Sequence, residues 1–310
     1  MRTVLEAAIG ENTAEDEPNA PPISIVNNFD DEPCPPWEFY YTNLMWHDEG
    51  VPPPDMTGLK GCGCYPRCDP KNGSCSCLQK QRSWSGEFTP DFAYDSRGRL
   101  KYQNVPIFEC NDMCGCDDDC RNRVVQHGRK CAVQIGKTKN KGWGTILLSL
   151  PILCLSCSVG VFAGPKKIYD GTFLGIYSGE LLTEEVAEER GKKYNKFGRT
   201  YLFNLDFYFL REGKEEEWEP KYVVDAYHAG NNHSCSPNAR LNAVYINESN
   251  IDKPLLAIFA CKDIEPGAEI CFSYSGNYDV SSCTRLLLVH PVLKYTHPRR
   301  KTSRNKRNGS

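Results

Sequence analysis

No long apolar run opens this chain. Residues 1–20 are rich in Glu, Asn, Ala and Pro with little apolar content, so a secretory leader is not expected and the segment reads as a disordered N-terminus. No internal repeat is visible, which argues against a solenoid or propeller. No sequence run resembles a stacking platform or a recognition helix for nucleic-acid bases. Residues 61–123 are poor in aliphatic side chains, so this stretch cannot build an ordinary hydrophobic core and must be held together another way.

What that stretch has instead is cysteine. Nine of the chain's 17 cysteines fall in two clusters: Cys62, Cys64, Cys68, Cys75 and Cys77, then Cys110, Cys114, Cys116 and Cys120, spaced C-x3-C-x-C-x3-C. Thiols this crowded cannot all pair as unstrained disulfides, and nine is an odd number for a disulfide framework. Thiolates around tetrahedral zinc tolerate such crowding. Nine ligands also suit three zinc ions: six terminal thiolates, plus three bridging ones counted twice, fill the positions of three tetrahedra. Zinc in place of disulfides implies a reducing compartment.

At 310 residues, 40% hydrophobic and 25% charged, the chain suits one or two packed domains. Its net charge of -3 hides an asymmetry between early acidic runs such as Glu15-Asp16-Glu17 and a basic end carrying Lys294, Arg299, Arg300, Lys301, Arg304 and Lys306. A basic tail can contact nucleic acid non-specifically, act as an import signal, or be a solvated end without a partner.

The organisation follows from these shifts. Residues 21–60 read as a wrapping segment with a short β-like run, Ile23-Ser24-Ile25-Val26, and an aromatic group, Trp37, Phe39, Tyr40 and Tyr41. Residues 61–123 are the cysteine module, with 78–109 between the clusters expected to be partly mobile. From about residue 130 to 278, short apolar runs alternate with turns: Phe173–Tyr177, Tyr201–Leu205, Tyr222–Asp225 and Leu255–Ala260. A single helix is expected, opening at Thr183 as N-cap with Glu184, Glu185 and Glu188 in its first turns. A mainly β architecture of several small sheets is predicted, followed by a disordered basic tail over 279–310.

Four patches in the β region have bland readings singly, as turns, polar loops or strands. They are Lys141-Gly142-Trp143-Gly144, Tyr177-Ser178-Gly179-Glu180, Asn232-His233-Ser234-Cys235 continuing through Pro237-Asn238, and Phe272-Ser273-Tyr274-Ser275-Gly276. As an ordered set behind nine clustered cysteines they are far more specific. The chain resembles SET-domain histone lysine methyltransferases of the Suv39/Clr4 type over roughly Pro21 to Tyr278.

That resemblance implies a SET fold of small curved sheets with a knot-like threaded strand, preceded by a loop-rich pre-SET module with a triangular three-zinc cluster. It implies S-adenosylmethionine as methyl donor, held by Gly142, Trp143, Gly144, Tyr227, Asn232 and His233. Tyr274 would be the catalytic tyrosine, Tyr201 a second tyrosine of the lysine channel, and Phe272 the residue that sets product degree, with Phe leaving room for higher methylation. The implied partners are the histone H3 tail, at lysine nine, and chromatin, in the nucleus and on the chromosome. The implied outcome is heterochromatin formation and gene silencing.

Three departures from the family pattern stand out. Thr145–Gly160 adds an uncharged apolar block after Gly-Trp-Gly, read as an inserted surface loop or retained intron rather than a membrane span, since Pro151 interrupts it. Gly230-Asn231 abuts Asn232 without the usual intervening Arg-Phe segment. Downstream of the catalytic tyrosine only Cys283 remains, so a fourth, post-SET zinc on Cys235 is not expected. The alternative reading is a catalytically inert zinc-stabilised chromatin scaffold, or a defective gene product of the same family.

Overall fold

The computed structural model describes residues 1–35, 42–85, 91–102, 105–137, 160–196, 202–207, 221–226 and 237–272. Three small sheets carry the architecture. In the first, β1 (Ser24–Val26) pairs parallel with β4 (Val133–Gly136), which pairs antiparallel with β5 (Gly160–Ala163). The second has the order β3 (Ile107–Phe108), β10 (Ala239–Tyr245), β11 (Leu255–Ala260) and β6 (Phe173–Ile176). The third runs β2 (Met45–His47), β7 (Gly179–Thr183), β9 (Tyr222–Asp225) and β8 (Leu202–Asn204).

These strands form where the sequence offers short β-branched and aromatic runs bounded by turns. Leu256 to Ala260 is buried throughout and Val223 to Asp225 likewise, as expected of central strands covered on both faces. The main core gathers Ile25, Ile135, Leu181, Val224, Leu256 and Phe272 from all three sheets. The mainly β fold of small sheets therefore agrees with the expectation. The wrapping segment takes part directly, because β1 adds to one sheet and β2 to another. Its aromatic group Trp37–Tyr41 lies outside the described residues, as do the block 145–159, the approach to Asn232, where the knot-like strand was expected, and the tail.

Three findings correct the sequence reading. Residues 1–20 are not disordered: α1 spans Arg2–Asp16. Leu5 and Ile9 lie four residues apart and are 4% and 1% exposed, with Thr13 continuing the buried stripe, and the Glu6 carboxylate accepts the Ile25 N–H at 2.8 Å. A narrow stripe at helical spacing suffices to dock a helix even where overall apolar content is low.

The segment between the cysteine clusters packs as well. It contains α2 (Ser76–Ser85), and Phe92, Ala93 and Tyr94 are fully buried. Tyr94 packs on Phe259 of β11, with ring centroids 6.2 Å apart, and donates its hydroxyl hydrogen to the buried Glu109 carboxylate at 2.7 Å. Glu109 also accepts the backbone N–H groups of Val124 and Val125 at 2.9 and 2.7 Å. Burial pushes the Glu109 carboxyl upward against these hydrogen bonds. Finally, the single helix expected at Thr183 is one of three α-helices among the described residues.

That expected helix, α3 (Glu184–Lys196), follows Thr183 with Glu184 and Glu185 in its first turn and Lys193 and Lys196 in its last. It is fastened by charge. Arg190 bridges Glu180 at 2.6 Å and the buried Asp225 at 2.9 Å, and Tyr194 donates to Asp225 at 2.7 Å. Burial, and then the Asp225 carboxylate, push the Tyr194 hydroxyl well above its ordinary value. Among the described residues no helix is long and apolar enough to cross a membrane.

Candidate active site and cysteine cluster

The two cysteine clusters converge. Loop geometry allows it: a side chain at Gly61 would put its Cβ 1.9 Å from the Met113 carbonyl, so only glycine lets the two loops approach this closely. Sulfur separations are 3.4 Å for Cys62–Cys68, 3.5 Å for Cys68–Cys110 and Cys77–Cys114, and 4.0 Å for Cys110–Cys120. A disulfide would need about 2.05 Å, whereas a tetrahedron with zinc–sulfur bonds of about 2.3 Å has edges near 3.8 Å. All nine thiols are free of disulfides.

Three overlapping sets of four thiols are each compact enough for one metal ion: Cys62, Cys64, Cys68 and Cys75; Cys62, Cys77, Cys110 and Cys114; and Cys62, Cys68, Cys110 and Cys116. Cys62, Cys68 and Cys110 recur among them, as bridging ligands must. Cys120 adjoins the third set through Cys110 and accepts the Cys68 N–H at 3.5 Å. Donors to sulfur surround the cluster: the Cys62 N–H reaches Cys114 at 3.3 Å, and the Asn122 amide reaches Cys110 at 3.6 Å. Such contacts stabilise thiolate and orient it. Hydrogen bonding from Cys68 pulls the Cys75 thiol down, while hydrogen bonds with Cys110 and Cys120 push Cys68 up. The donor set fits zinc.

Of the catalytic candidates, Phe272 is described. It is 2% exposed and meets Tyr177 edge-on, with ring centroids 5.7 Å apart at 81°. Tyr177 is buried and also packs on Phe203 of β8, at 5.6 Å. An aromatic wall therefore runs Phe203–Tyr177–Phe272, with Tyr177 and Phe272 buried and Phe203 half-buried; in sequence, one end comes two residues after Tyr201 and the other two residues before Tyr274. Tyr177 had no role in the sequence reading, although the Tyr-Ser-Gly-Glu patch that contains it stood out. Its backbone is set by neighbours: the Ser178 hydroxyl donates to the Thr42 carbonyl, and Gly179 passes so close to β9 that a Cβ there would lie 2.3 Å from the Asp225 carbonyl oxygen.

Asn238, at the end of the Asn-His-Ser-Cys patch, is a second residue without an assigned role. Its amide donates to the Glu269 carbonyl at 2.8 Å and accepts the Cys271 N–H at 2.8 Å, while its own N–H reaches the Cys271 carbonyl at 2.9 Å. These bonds fix the strand that delivers Phe272, whose backbone bridges Ala239. Asn238→Ala removes two hydrogen bonds to backbone groups, each worth about 0.5–1.5 kcal/mol. A clear fall in thermal midpoint is expected, and an unchanged midpoint would show that water replaces the amide.

Gly142, Trp143, Gly144, Tyr201, Tyr227, Asn232, His233 and Tyr274 lie outside the described residues, as does Cys235. The structure does place their flanks: Leu202 opens β8 and Ala226 closes a buried run beside Asp225.

Comparison with known proteins accounts for both halves of this arrangement. The Pre-SET motif matches residues 15–123, so it begins well before the cysteines, and the SET domain matches residues 158–275. An H3 lysine-9 specific histone-lysine N-methyltransferase from Schizosaccharomyces pombe is 37% identical over 86% of this chain and 50% of its own length. The chain spans only part of the length of such curated relatives, from 16% to 57%. A structure solved for the product specificity of histone lysine methyltransferases is 30% identical, with a TM-score of 0.65 over 82% of this chain and 95% of its own. SUVH6 from Arabidopsis thaliana, in complex with SAM, is 30% identical with a TM-score of 0.60 over 83% of this chain and 50% of its own. With a pre-SET cysteine cluster packed against small SET sheets, the chain belongs to the SET-domain histone lysine methyltransferases of the Suv39/Clr4 type.

Proposed function

We propose that this chain transfers a methyl group from S-adenosylmethionine to lysine nine of the histone H3 tail, in the nucleus and on chromatin, in support of heterochromatin and gene silencing. The observation that carries the reading is the aromatic wall Phe203–Tyr177–Phe272, whose ends lie two residues in sequence from Tyr201 and Tyr274. The names of the relatives and the SAM complex of SUVH6 support the choice of substrate and donor.

The chemistry needs a neutral lysine amine, yet lysine ionises near a pKa of about 10.4 in water. An aromatic channel removes water from the ammonium and lowers that value, and ring faces hold the cation until its proton leaves. The Tyr274 and Tyr201 hydroxyls then orient the amine lone pair, so that catalysis is mainly positional. S-adenosylmethionine supplies an electrophilic methyl on sulfonium, and Gly142, Trp143, Gly144, Tyr227, Asn232 and His233 are the residues that would hold it. An extended H3 tail can add along β8, which among the described residues pairs only with β9 and exposes Asn204.

The metal reading is three zinc ions on the nine cysteines, with Cys62, Cys68 and Cys110 bridging, and none on Cys235. The scaffold alternative predicts the same zinc content without transfer.

The test is transfer of labelled methyl to an H3-tail peptide, with product degree read by mass spectrometry. Tyr274→Phe is expected to lower kcat at least a hundredfold. Phe272→Tyr adds a hydroxyl to the channel and is expected to shift products toward monomethyl-lysine. Absence of transfer by the unaltered chain, with zinc bound and the donor not retained, would leave the scaffold reading in place.

A further inference from the structure

A cleft of about 700 Å3 lies where the cysteine module meets the SET sheets, and no residue of the aromatic wall lines it. Three walls form it: the loop after Cys120, the turn Asp95–Arg99, and the entry to β6 at Thr172 and Phe173. Its lining is strongly cationic, with Arg67, Arg97, Arg99, Arg121, Arg123 and Lys130 against only Asp95 and Asp119 as acids.

Both acids are already engaged. Asp119 pairs with Arg67 at 2.8 Å. Asp95 accepts the N–H groups of Arg97 and Arg99 at 2.8 and 2.9 Å and so builds the turn. Two of the cations have a structural use. Arg123 donates to the carbonyls of Cys110 and Asn111 and, beside the Cys116 sulfur, offsets the negative charge of a thiolate cluster. Arg121 donates to the Tyr94 carbonyl at 3.5 Å and lies over Phe92.

Arg97, Arg99 and Lys130 are left over. None forms an ion pair among the described residues; Arg99 rests on the Tyr169 ring at 4.4 Å, and Arg97 and Lys130 are exposed. Gathering six cations against two acids in one concavity costs free energy through mutual repulsion, which for Arg99 the Asp263 carboxylate offsets in part. A polyanion repays it.

We propose that this cleft binds the phosphodiester backbone of duplex DNA. The cations sit on separate segments around a space far larger than one phosphate, and Val124 and Phe173 are its large apolar lining residues. A peptide partner would need side-chain pockets, whereas phosphates need separated arginine and lysine heads. The inference rests on the histone-tail reading above, because histone octamers present their tails from a DNA-wrapped particle. The cleft would then hold the enzyme on nucleosomal DNA while the tail enters the aromatic channel.

The test compares the full chain with an Arg97→Gln/Arg99→Gln/Lys130→Gln variant, using fluorescence anisotropy on a labelled 20-base-pair duplex across a salt series. Affinity is expected to fall at least tenfold at low salt. The slope of log affinity against log salt should shrink by about 2–3, near 0.9 per lost phosphate contact. Methylation of a free H3 peptide should stay unchanged, and methylation of nucleosomes should fall. A second variant, Lys301→Gln/Arg304→Gln/Lys306→Gln, separates the basic tail. If that variant alone weakens DNA binding and the cleft variant does not, the proposal is overturned. Equal affinity for a poly-glutamate peptide at the same ionic strength overturns it too. Should the triple variant fail to fold, the exposed single changes Arg97→Glu and Lys130→Glu carry the same expectation. Peptide methylation reports on the active site alone, so its failure leaves the DNA result readable.

Discussion

Stripping zinc from this chain with a strong chelator is expected to melt residues 61–123 cooperatively and to abolish methyl transfer with them. The reason lies in what surrounds the cysteines. Among the described residues, the only other fully buried apolar side chains in the cysteine cluster are Leu78 and Phe92. Two such side chains contribute only a few kcal/mol, against an ordering cost of about 1–2 kcal/mol for each residue of loop. Structural zinc supplies about 10–16 kcal/mol per site in small domains, which only the thiolates can recruit here. Loss of the cluster frees Phe92 and, next to it, Ala93 and Tyr94, which pack against β11, so the SET sheets lose part of their support.

Bridging makes the prediction sharper. Cys64 belongs to one four-thiol set, whereas Cys62 and Cys110 recur. Cys64→Ser should lower the bound zinc by about one ion, while Cys62→Ser or Cys110→Ser should empty more than one position and lower the melting temperature further. The measurement is zinc per chain by mass spectrometry beside a thermal scan. Equal losses from all three variants, or a metal-free chain that melts as before, would refute the bridged cluster.

The cysteine module was legible because its ligands are local: C-x3-C-x-C-x3-C brings thiols together within a single loop, whatever the rest of the chain does. Strands β9 and β11 were legible for a similar reason, as continuous apolar runs. Partnerships made over long distances in sequence were not. The ring of Tyr177 acquires its place from Phe203 and Phe272, two strands that no local pattern links to it. Phe92-Ala93-Tyr94 is too short a run to announce burial amid Ser, Gly and charge, and only Phe259 and Glu109 reveal its partner surface. The N-terminal helix escaped for a different reason. Its composition is polar, and composition weighs every residue equally, whereas docking depends on the single face that carries Leu5 and Ile9.

The ion pair beyond that helix yields the second large effect. Glu17 is 2% exposed and Arg129 fully buried, with Nε 3.2 Å from the carboxylate. The geometry is dense: Glu17 also accepts the Arg129 N–H at 2.7 Å, and the guanidinium donates to the carbonyls of Cys131 at 2.9 Å and Pro21 at 2.6 Å. Gly128 permits the approach, since at φ +70° a Cβ there would meet Glu17 at 2.8 Å. Glu17→Ala leaves a guanidinium buried without its counter-charge, a loss of about 3–5 kcal/mol. For a domain of this size that corresponds to roughly 10 °C in melting temperature. Zinc content should not change, which separates this effect from damage to the cluster. Glu17→Met combined with Arg129→Met should recover most of the loss, because a paired apolar replacement strands no charge. A shift under about 2 °C for Glu17→Ala would mean that α1 is not anchored through this pair. A double variant as unstable as the single would mean that the guanidinium's carbonyl contacts, rather than its charge partner, hold the N-terminal segment on the SET core.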